Sequence, residues 1–155
     1  MIMARRLILD SCLLVLFIVG LTDKHRIKAH KNLKAYDVDD FERLERIVNS
    51  HKELVINPNV LAETSSLIRQ TDENFCSDVT LTLGKLIGHS EEIYIKSDTA
   101  ICRTEYDWLG LTDAVLLELA VDDTHLLTVD VKLYLAAAKA GLEVTNYNHI
   151  KERFL

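Results

Sequence analysis

Short apolar runs alternate with longer helix-periodic segments along the chain, and this pattern predicts strands alternating with helices. The strand candidates are residues 5–9, 53–56, 125–129 and 143–146. The helix candidates are residues 12–21, 38–48, 58–69, 72–88, 97–108, 112–120 and 131–140. The alternation predicts an α/β fold, a three-layer sandwich with a central, mainly parallel sheet of four to five strands flanked by helices.

Several helix ends carry local signals. Asn57 followed by Pro58 predicts an N-cap and a first helical position. Acidic residues near position 37 supply a second N-cap, and Thr112 supplies a third. Gly141 predicts the end of the helix that begins near Val131.

The apolar stretch 7–21 follows Arg5 and Arg6 and superficially has the make-up of a targeting segment. Asp10 interrupts it, and the uncharged part, residues 11–22, is too short to cross a bilayer of about 30 Å. We therefore expect a buried strand, then Asp10, then a buried helix, and no membrane association.

Length and composition fit one domain spanning residues 1–155. The formal net charge is -6, so the protein is not coated in positive charge, although acids gathered round a metal also lower the total. The three cysteines, Cys12, Cys76 and Cys102, form no CxxC pair. We expect reduced, partly buried thiols in a cytoplasmic protein.

Four acidic residues have contexts that suit chemistry. Asp10 and Asp130 each end an apolar strand, where open α/β sheets bind their ligands. Glu63 lies in the first turns of the helix opened by Pro58, and Asp113 lies at the start of another helix. Each alone has an ordinary structural explanation, such as a turn residue, a helix cap or a solvent-facing carboxylate.

Together, the four acids indicate a site for a divalent cation. Clustered carboxylates repel one another, and a cation with a preference for hard oxygen ligands, Mg²⁺ or Mn²⁺, removes that cost. Such an ion activates water and neutralises charge on a phosphodiester, so no nucleophilic side chain is needed. The sequence has no GxGxxG or GxxxxGK[ST] motif, which disfavours dinucleotide-binding and P-loop NTPase functions.

The residues round these acids resemble the four motifs of the PIN-domain family. The matching segments are Leu-Ile-Leu-Asp-Ser at 7–11, Val-Leu-Ala-Glu-Thr at 60–64, Leu-Thr-Asp-Ala at 111–114 and Leu-Thr-Val-Asp-Val-Lys-Leu at 127–133. The resemblance spans about residues 5–147. Each motif alone is weak, but four in the right order are fairly specific.

The resemblance implies a PIN-like fold and a Mg²⁺- or Mn²⁺-dependent endoribonuclease. It implies that Asp10, Glu63, Asp113 and Asp130 are the metal-binding, catalytic acids, with Ser11 and Thr128 supporting them. Many small members resemble VapC-type toxins, which implies a toxin–antitoxin pair, an antitoxin protein as partner and a homodimer. Two features depart from the family: Cys12 stands where asparagine is frequent, and the chain between Asp10 and Glu63 is long, with the extra length in a basic loop at about 21–36.

That loop is the candidate RNA-binding segment. Lys24, Arg26, Lys28 and Lys31 are the predicted phosphate contacts, and with Lys34 they give residues 24–34 a charge of +5. Since -6 minus 5 is -11, the rest of the chain is strongly acidic. Trp108 and Tyr106 are expected in the core. His89, His125 and His149 have no partner at helical or strand spacing, and each is expected on the surface or as a satisfied interior side chain.

Two other functions stay open. A PIN-like protein without turnover would serve as an RNA-binding or scaffold module, and a structure-specific DNA nuclease would use the same metal chemistry. Calorimetry distinguishes the scaffold module from an enzyme, because a scaffold module should not bind Mn²⁺. Comparing cleavage of flapped DNA with cleavage of single-stranded RNA distinguishes a DNA nuclease from a ribonuclease.

Overall fold

The computed structural model of the chain describes residues 4–154. Five parallel strands form one central sheet, and helices flank it. The strands are β1 Arg6–Leu9, β2 Glu53–Ile56, β3 Glu91–Glu92, β4 Thr124–Thr128 and β5 Val144–Asn146. The helices are α1 Ser11–Asp23, α2 Val38–Asn49, α3 Pro58–Ile68, α4 Glu73–His89, α5 Ser97–Ala100, α6 Tyr106–Leu109, α7 Leu111–Leu119, α8 Val131–Lys139 and α9 Tyr147–Glu152. The predicted α/β sandwich with a parallel sheet is confirmed.

The strand order is β3-β2-β1-β4-β5, with every neighbouring pair parallel. The chain moves from β1 towards one edge through β2 and β3, then returns to the other side of β1 to form β4 and β5. The order therefore reverses between β1 and β4. In open α/β sheets the crevice beyond the carboxyl ends of the strands at such a switch point is where ligands bind.

The apolar stretch after Asp10 forms α1, which is buried along most of its length from Ser11 to Gly20. Gly20 is needed there, because a Cβ at this position would lie 2.0 Å from the ring of Phe41. The predicted buried strand and buried helix on either side of Asp10 are thus confirmed. Within residues 4–154, every helix is too short or too polar to span a bilayer.

Local signals placed most helix ends correctly. The Asn57 side chain caps α3, with Pro58 at its first position, and Asp37 forms a capping box with Asp40 at the start of α2. The predicted cap at Thr112 is wrong. The N-cap of α7 is Gly110, whose φ of 89° is a conformation that glycine adopts without strain.

The basic loop is shorter than predicted, because α1 continues to Asp23 and a 3-10 helix covers Lys24–Arg26. The remainder is fixed to the body of the protein by Ile27, His30 and Leu33, all of which are buried. The predicted helix at 97–108 is two short helices, α5 and α6. Strand β3 and helix α9 were not predicted.

The expectation that Trp108 lies in the core is wrong, because this side chain is 57% exposed, whereas half-buried Tyr106 packs against the core. His125 is a satisfied interior histidine, as expected. Its Nδ1 lies 3.2 Å from Nε2 of buried His51, and its Nε2 lies 2.8 Å from Oγ1 of Thr145. No local spacing signals the contact with His51, because the two histidines are far apart in sequence and only the tertiary structure brings them together.

Candidate active site

Asp10 is the most firmly held of the four acids. It follows β1 directly, is 7% exposed, and caps α1 by accepting a hydrogen bond from the Leu13 N–H at 2.9 Å. Its second carboxylate oxygen accepts from the Thr128 hydroxyl at 2.5 Å and from the Val129 N–H at 2.8 Å. Three donors from two elements therefore fix the direction of this carboxylate.

Thr128 links the two acids that end neighbouring strands. Its hydroxyl donates to Asp10 and accepts the N–H of Asp130 at 3.0 Å. Asp130 in turn caps α8, accepting from the Leu133 N–H at 3.1 Å. Both acids thus lie at helix N-termini, where the helix dipole favours negative charge.

Glu63 comes to the same place on α3, because α3 packs against α1. The Ser11 hydroxyl donates to the Glu63 carboxylate at 2.5 Å, across 52 residues of sequence. Ser11 is buried, so this contact positions Glu63 from the first turn of α1. Ser11 and Thr128, the two predicted supporting residues, each donate a hydrogen bond to the carboxylate of one acid.

Asp113 reaches the site from the first turn of α7. It and the other three acids line one cavity of about 110 Å³. The remaining lining residues are Ser11, Cys12, Thr112, Leu116, Val129 and Leu133. The structure therefore brings all four predicted acids together, from four separate segments, beyond the carboxyl ends of β1 and β4.

Burial and the repulsion of neighbouring acids disfavour the ionised forms of Asp113 and Asp10. Burial raises the pKa of Asp113 to about 6, and the charges of Asp130, Asp10 and Glu63 add to the rise. Burial also raises the pKa of Asp10, against the hydrogen bonds from Thr128, Leu13 and Val129 that lower it. A cation in the cavity would favour ionised carboxylates and reverse both shifts.

The carboxylate side chains of the cavity are the type of ligand that a hard divalent cation prefers. Among residues 4–154, no group of three or more His, Cys, Asp or Glu side chains converges at metal-ligand spacing. Mg²⁺ is usually held directly by only one or two carboxylates and keeps several of its waters. Four carboxylates round one small cavity therefore fit this ion, with some of them holding it through water.

The acids also act on Cys12, which lines the cavity, and on Tyr36, which sequence analysis did not single out. Burial, followed by the charges of Asp10 and Glu63, raises the pKa of the Cys12 thiol to about 11. Burial likewise raises the pKa of Tyr36 to about 12, with contributions from Cys12 and Asp10. Tyr36 lies at the end of the basic loop, so that loop returns towards the acids, a fold that no local motif signals.

The four predicted phosphate contacts lie in two different environments. The 3-10 helix that carries Lys24 and Arg26 starts where α1 ends, about 20 Å along the helix axis from Asp10. Lys24 pairs with Glu42 at 3.2 Å, and Arg26 pairs with Asp72. Lys28 and Lys31 are exposed. The positive charge of this segment is thus partly offset by neighbouring acids.

Comparison with known proteins yields little. No family model matches the chain, and no curated protein matches it. Among solved structures, a domain of a functionally unknown protein from Methanocaldococcus jannaschii DSM 2661 is similar over 92% of this chain and 91% of that chain, with 16% identity and a TM-score of 0.47. The function has to be argued from the site itself.

Proposed function

We propose that this protein is a divalent-metal-dependent nuclease that hydrolyses RNA phosphodiesters. The supporting observation is that four carboxylates from separate segments line one cavity at the switch point of a parallel sheet. Asp10 is buried and Asp113 is half-buried, and bringing four acids together raises the cost of ionising them, so a function is the natural reason for keeping them together. Phosphodiester hydrolysis fits, because the cavity needs to hold only a cation and a water.

Each acid has a distinct part in this proposal. Asp10 and Asp130, fixed by Thr128 and the ends of β1 and β4, would hold the cation, and Ser11 positions Glu63 beside them. When bound, Mg²⁺ or Mn²⁺ would supply charge stabilisation for the phosphate and a lower pKa for the attacking water. Asp113, which caps no helix, would accept the proton of that water on its carboxylate.

Expectations more specific than a metal-dependent nuclease remain predictions. Membership of the PIN-domain family, RNA rather than DNA as substrate, and a toxin role with an antitoxin partner derive from the four motifs. A homodimer and a cytoplasmic location are predictions of the same kind. A small antitoxin gene beside the gene for this protein would support the toxin role.

The direct test is cleavage of labelled single-stranded RNA by the purified protein in Mg²⁺ or Mn²⁺, with and without EDTA. Asp113→Asn is the most informative variant, since Asp113 caps no helix. Asp10→Asn instead places an amide where the Val129 N–H needs an acceptor. We expect Asp113→Asn to lower the rate at least about hundredfold, and the exposed Asp107→Asn to leave it unchanged.

Equal rates for wild type and Asp113→Asn at matched metal concentration would refute the catalytic role. A folded protein that neither cleaves RNA nor binds Mn²⁺ in calorimetry would be a scaffold module instead. Faster cleavage of flapped DNA than of single-stranded RNA would make it a structure-specific DNA nuclease.

A further inference from the structure

A second concave surface is formed by residues close in sequence to Asp113 and Asp130. It is a groove of about 340 Å³ between α6 and α8, lined on one side by Thr104, Glu105 and Trp108. Leu135, Ala136 and Lys139 are on the other side. Trp108 and Leu135 are each 57% exposed, so two large apolar side chains face solvent here.

Both walls of this groove belong to segments that also carry acids of the cavity. Trp108 precedes Asp113 by five residues, and Leu135 follows Asp130 by five residues. Five residues of α8 correspond to about 7.5 Å along the helix axis, so a group that binds against Leu135 lies about that far along α8 from Asp130.

Positive charge follows the same face of α8. Lys132 and Lys139 are exposed and seven residues apart, so they project from one side of the helix about 10.5 Å apart along its axis. Leu135 lies between them at helical spacing. The one acid in the groove, Glu105, is paired with Arg103 at 3.2 Å, which offsets its repulsion of an anionic ligand.

We propose that this groove binds an unpaired nucleobase next to the scissile phosphate, with the base stacked on Trp108 and the flanking phosphates held by Lys132 and Lys139. The identification of the ligand as a nucleic acid rests on the proposed nuclease function. An exposed aromatic ring beside cations is how proteins hold single strands without reading their sequence. A protein helix would need a continuous apolar groove, whereas Thr104, Glu105 and Lys139 interrupt this one.

The test uses Trp108 as its own probe, because it is the one tryptophan in the chain. The wild-type protein is titrated with short single-stranded RNA in EDTA, so that no hydrolysis occurs and binding is separated from catalysis. A matched abasic strand carries the same phosphates without bases. We expect tryptophan emission to be quenched by RNA and unchanged by the abasic strand, and a parallel DNA titration shows whether the groove also accepts deoxynucleotides.

Variants show how much each side chain contributes to the affinity for RNA, which is measured by the fluorescence anisotropy of a labelled strand. We expect Trp108→Ala to weaken binding about five- to hundredfold and Trp108→Phe to restore part of the loss. Lys139→Gln should lower the slope of log affinity against log salt by about 0.7. Tyr94→Ala is the matched control, because Tyr94 is an even more exposed aromatic side chain that follows edge strand β3, and this variant should bind as wild type does.

Three outcomes would overturn the proposal. The first is unquenched emission with both RNA and DNA, and the second is equal affinity for Trp108→Ala and wild type. The third is a blue shift of Trp108 emission that grows with protein concentration, since a second copy of the chain would then cover the groove. If RNA is not cleaved in Mg²⁺ but still quenches Trp108 in EDTA, the nuclease proposal fails while the base-binding groove stands.

Discussion

Asp113→Asn should make the folded protein more stable at neutral pH while it removes hydrolysis. Burial raises the pKa of Asp113 from 3.8 to about 6, and the neighbouring acids Asp130, Asp10 and Glu63 add to the effect. The ionised side chain is therefore unfavourable in the folded state. Asparagine has nearly the same shape and carries no charge.

The magnitude follows from the two pKa values. A difference of one pKa unit is worth 1.36 kcal/mol, so a rise from 3.8 to about 6 corresponds to about 3 kcal/mol when Asp113 is fully ionised. Asp113 is only half-buried, and water screens part of this repulsion. We expect Asp113→Asn to raise the free energy of unfolding by about 1 to 2 kcal/mol, or the melting temperature by roughly 2 to 8 °C.

The pH dependence has a definite sign. The unfolded chain releases the Asp113 proton near pH 3.8, whereas the folded chain holds it until about pH 6. The folded state therefore binds more protons in this range, and the stability that Asp113 contributes is complete below pH 3.8 and lost as the pH rises through 6. The advantage of the variant should be absent below pH 4, grow as the pH rises from 4 to 6, and be complete above pH 6.

Urea unfolding followed by circular dichroism at pH 4, 5, 6 and 7.5, in EDTA, measures this difference. The exposed Asp107→Asn serves as the matched control and should track wild type throughout. Adding Mn²⁺ at pH 7.5 should stabilise the wild type more than the variant, because the ion relieves the same repulsion. A variant that is no more stable than wild type at pH 7.5 would refute the idea that Asp113 is under electrostatic strain.

Three further predictions concern the rest of the molecule. Burial, with repulsion from His51, lowers the pKa of His125, so wild-type stability should fall as the pH drops below 6.5, and His125→Asn should lose that part of the pH dependence in urea titrations. Gly20→Ala forces a methyl group against the buried ring of Phe41 and should destabilise the protein by about 1 to 3 kcal/mol. Gly84 lies in α4 with open space round it, so Gly84→Ala should stabilise the protein by about 0.5 to 1 kcal/mol. Thermal melts of both variants show whether each change in stability has the expected sign. Cys12 and Cys102 are both exposed, but partial burial of the Cys12 thiol and the acids beside it raise its pKa to about 11. Cys12 should therefore react with iodoacetamide more slowly at pH 8 than Cys102, as peptide mass spectrometry would measure, and equal rates would contradict the environment described for its thiol.

The candidate site was predictable in its residue types but not in its contacts. Asp10 and Asp130 end apolar strands, and the carboxyl ends of parallel strands share one edge of the sheet, so their meeting follows from the pattern. The sequence cannot show that Thr128 donates to one of these acids and accepts from the other. Those hydrogen bonds depend on the adjacency of β1 and β4, which brings together Asp10 and Thr128 across 118 residues of sequence.

The alternation of apolar and amphipathic segments determined the strands and helices, and local chemistry determined most helix starts. Asn57 before Pro58 is one instance, since an N-cap and a first turn are satisfied within a few residues. Strand β3 was not predicted, because its two residues, Glu91 and Glu92 at the edge of the sheet, show no apolar periodicity. Tertiary structure alone decided that Trp108 faces solvent, that His51 meets His125 and that Tyr36 returns towards the acids, because each depends on packing between segments distant in the chain, which no local pattern encodes.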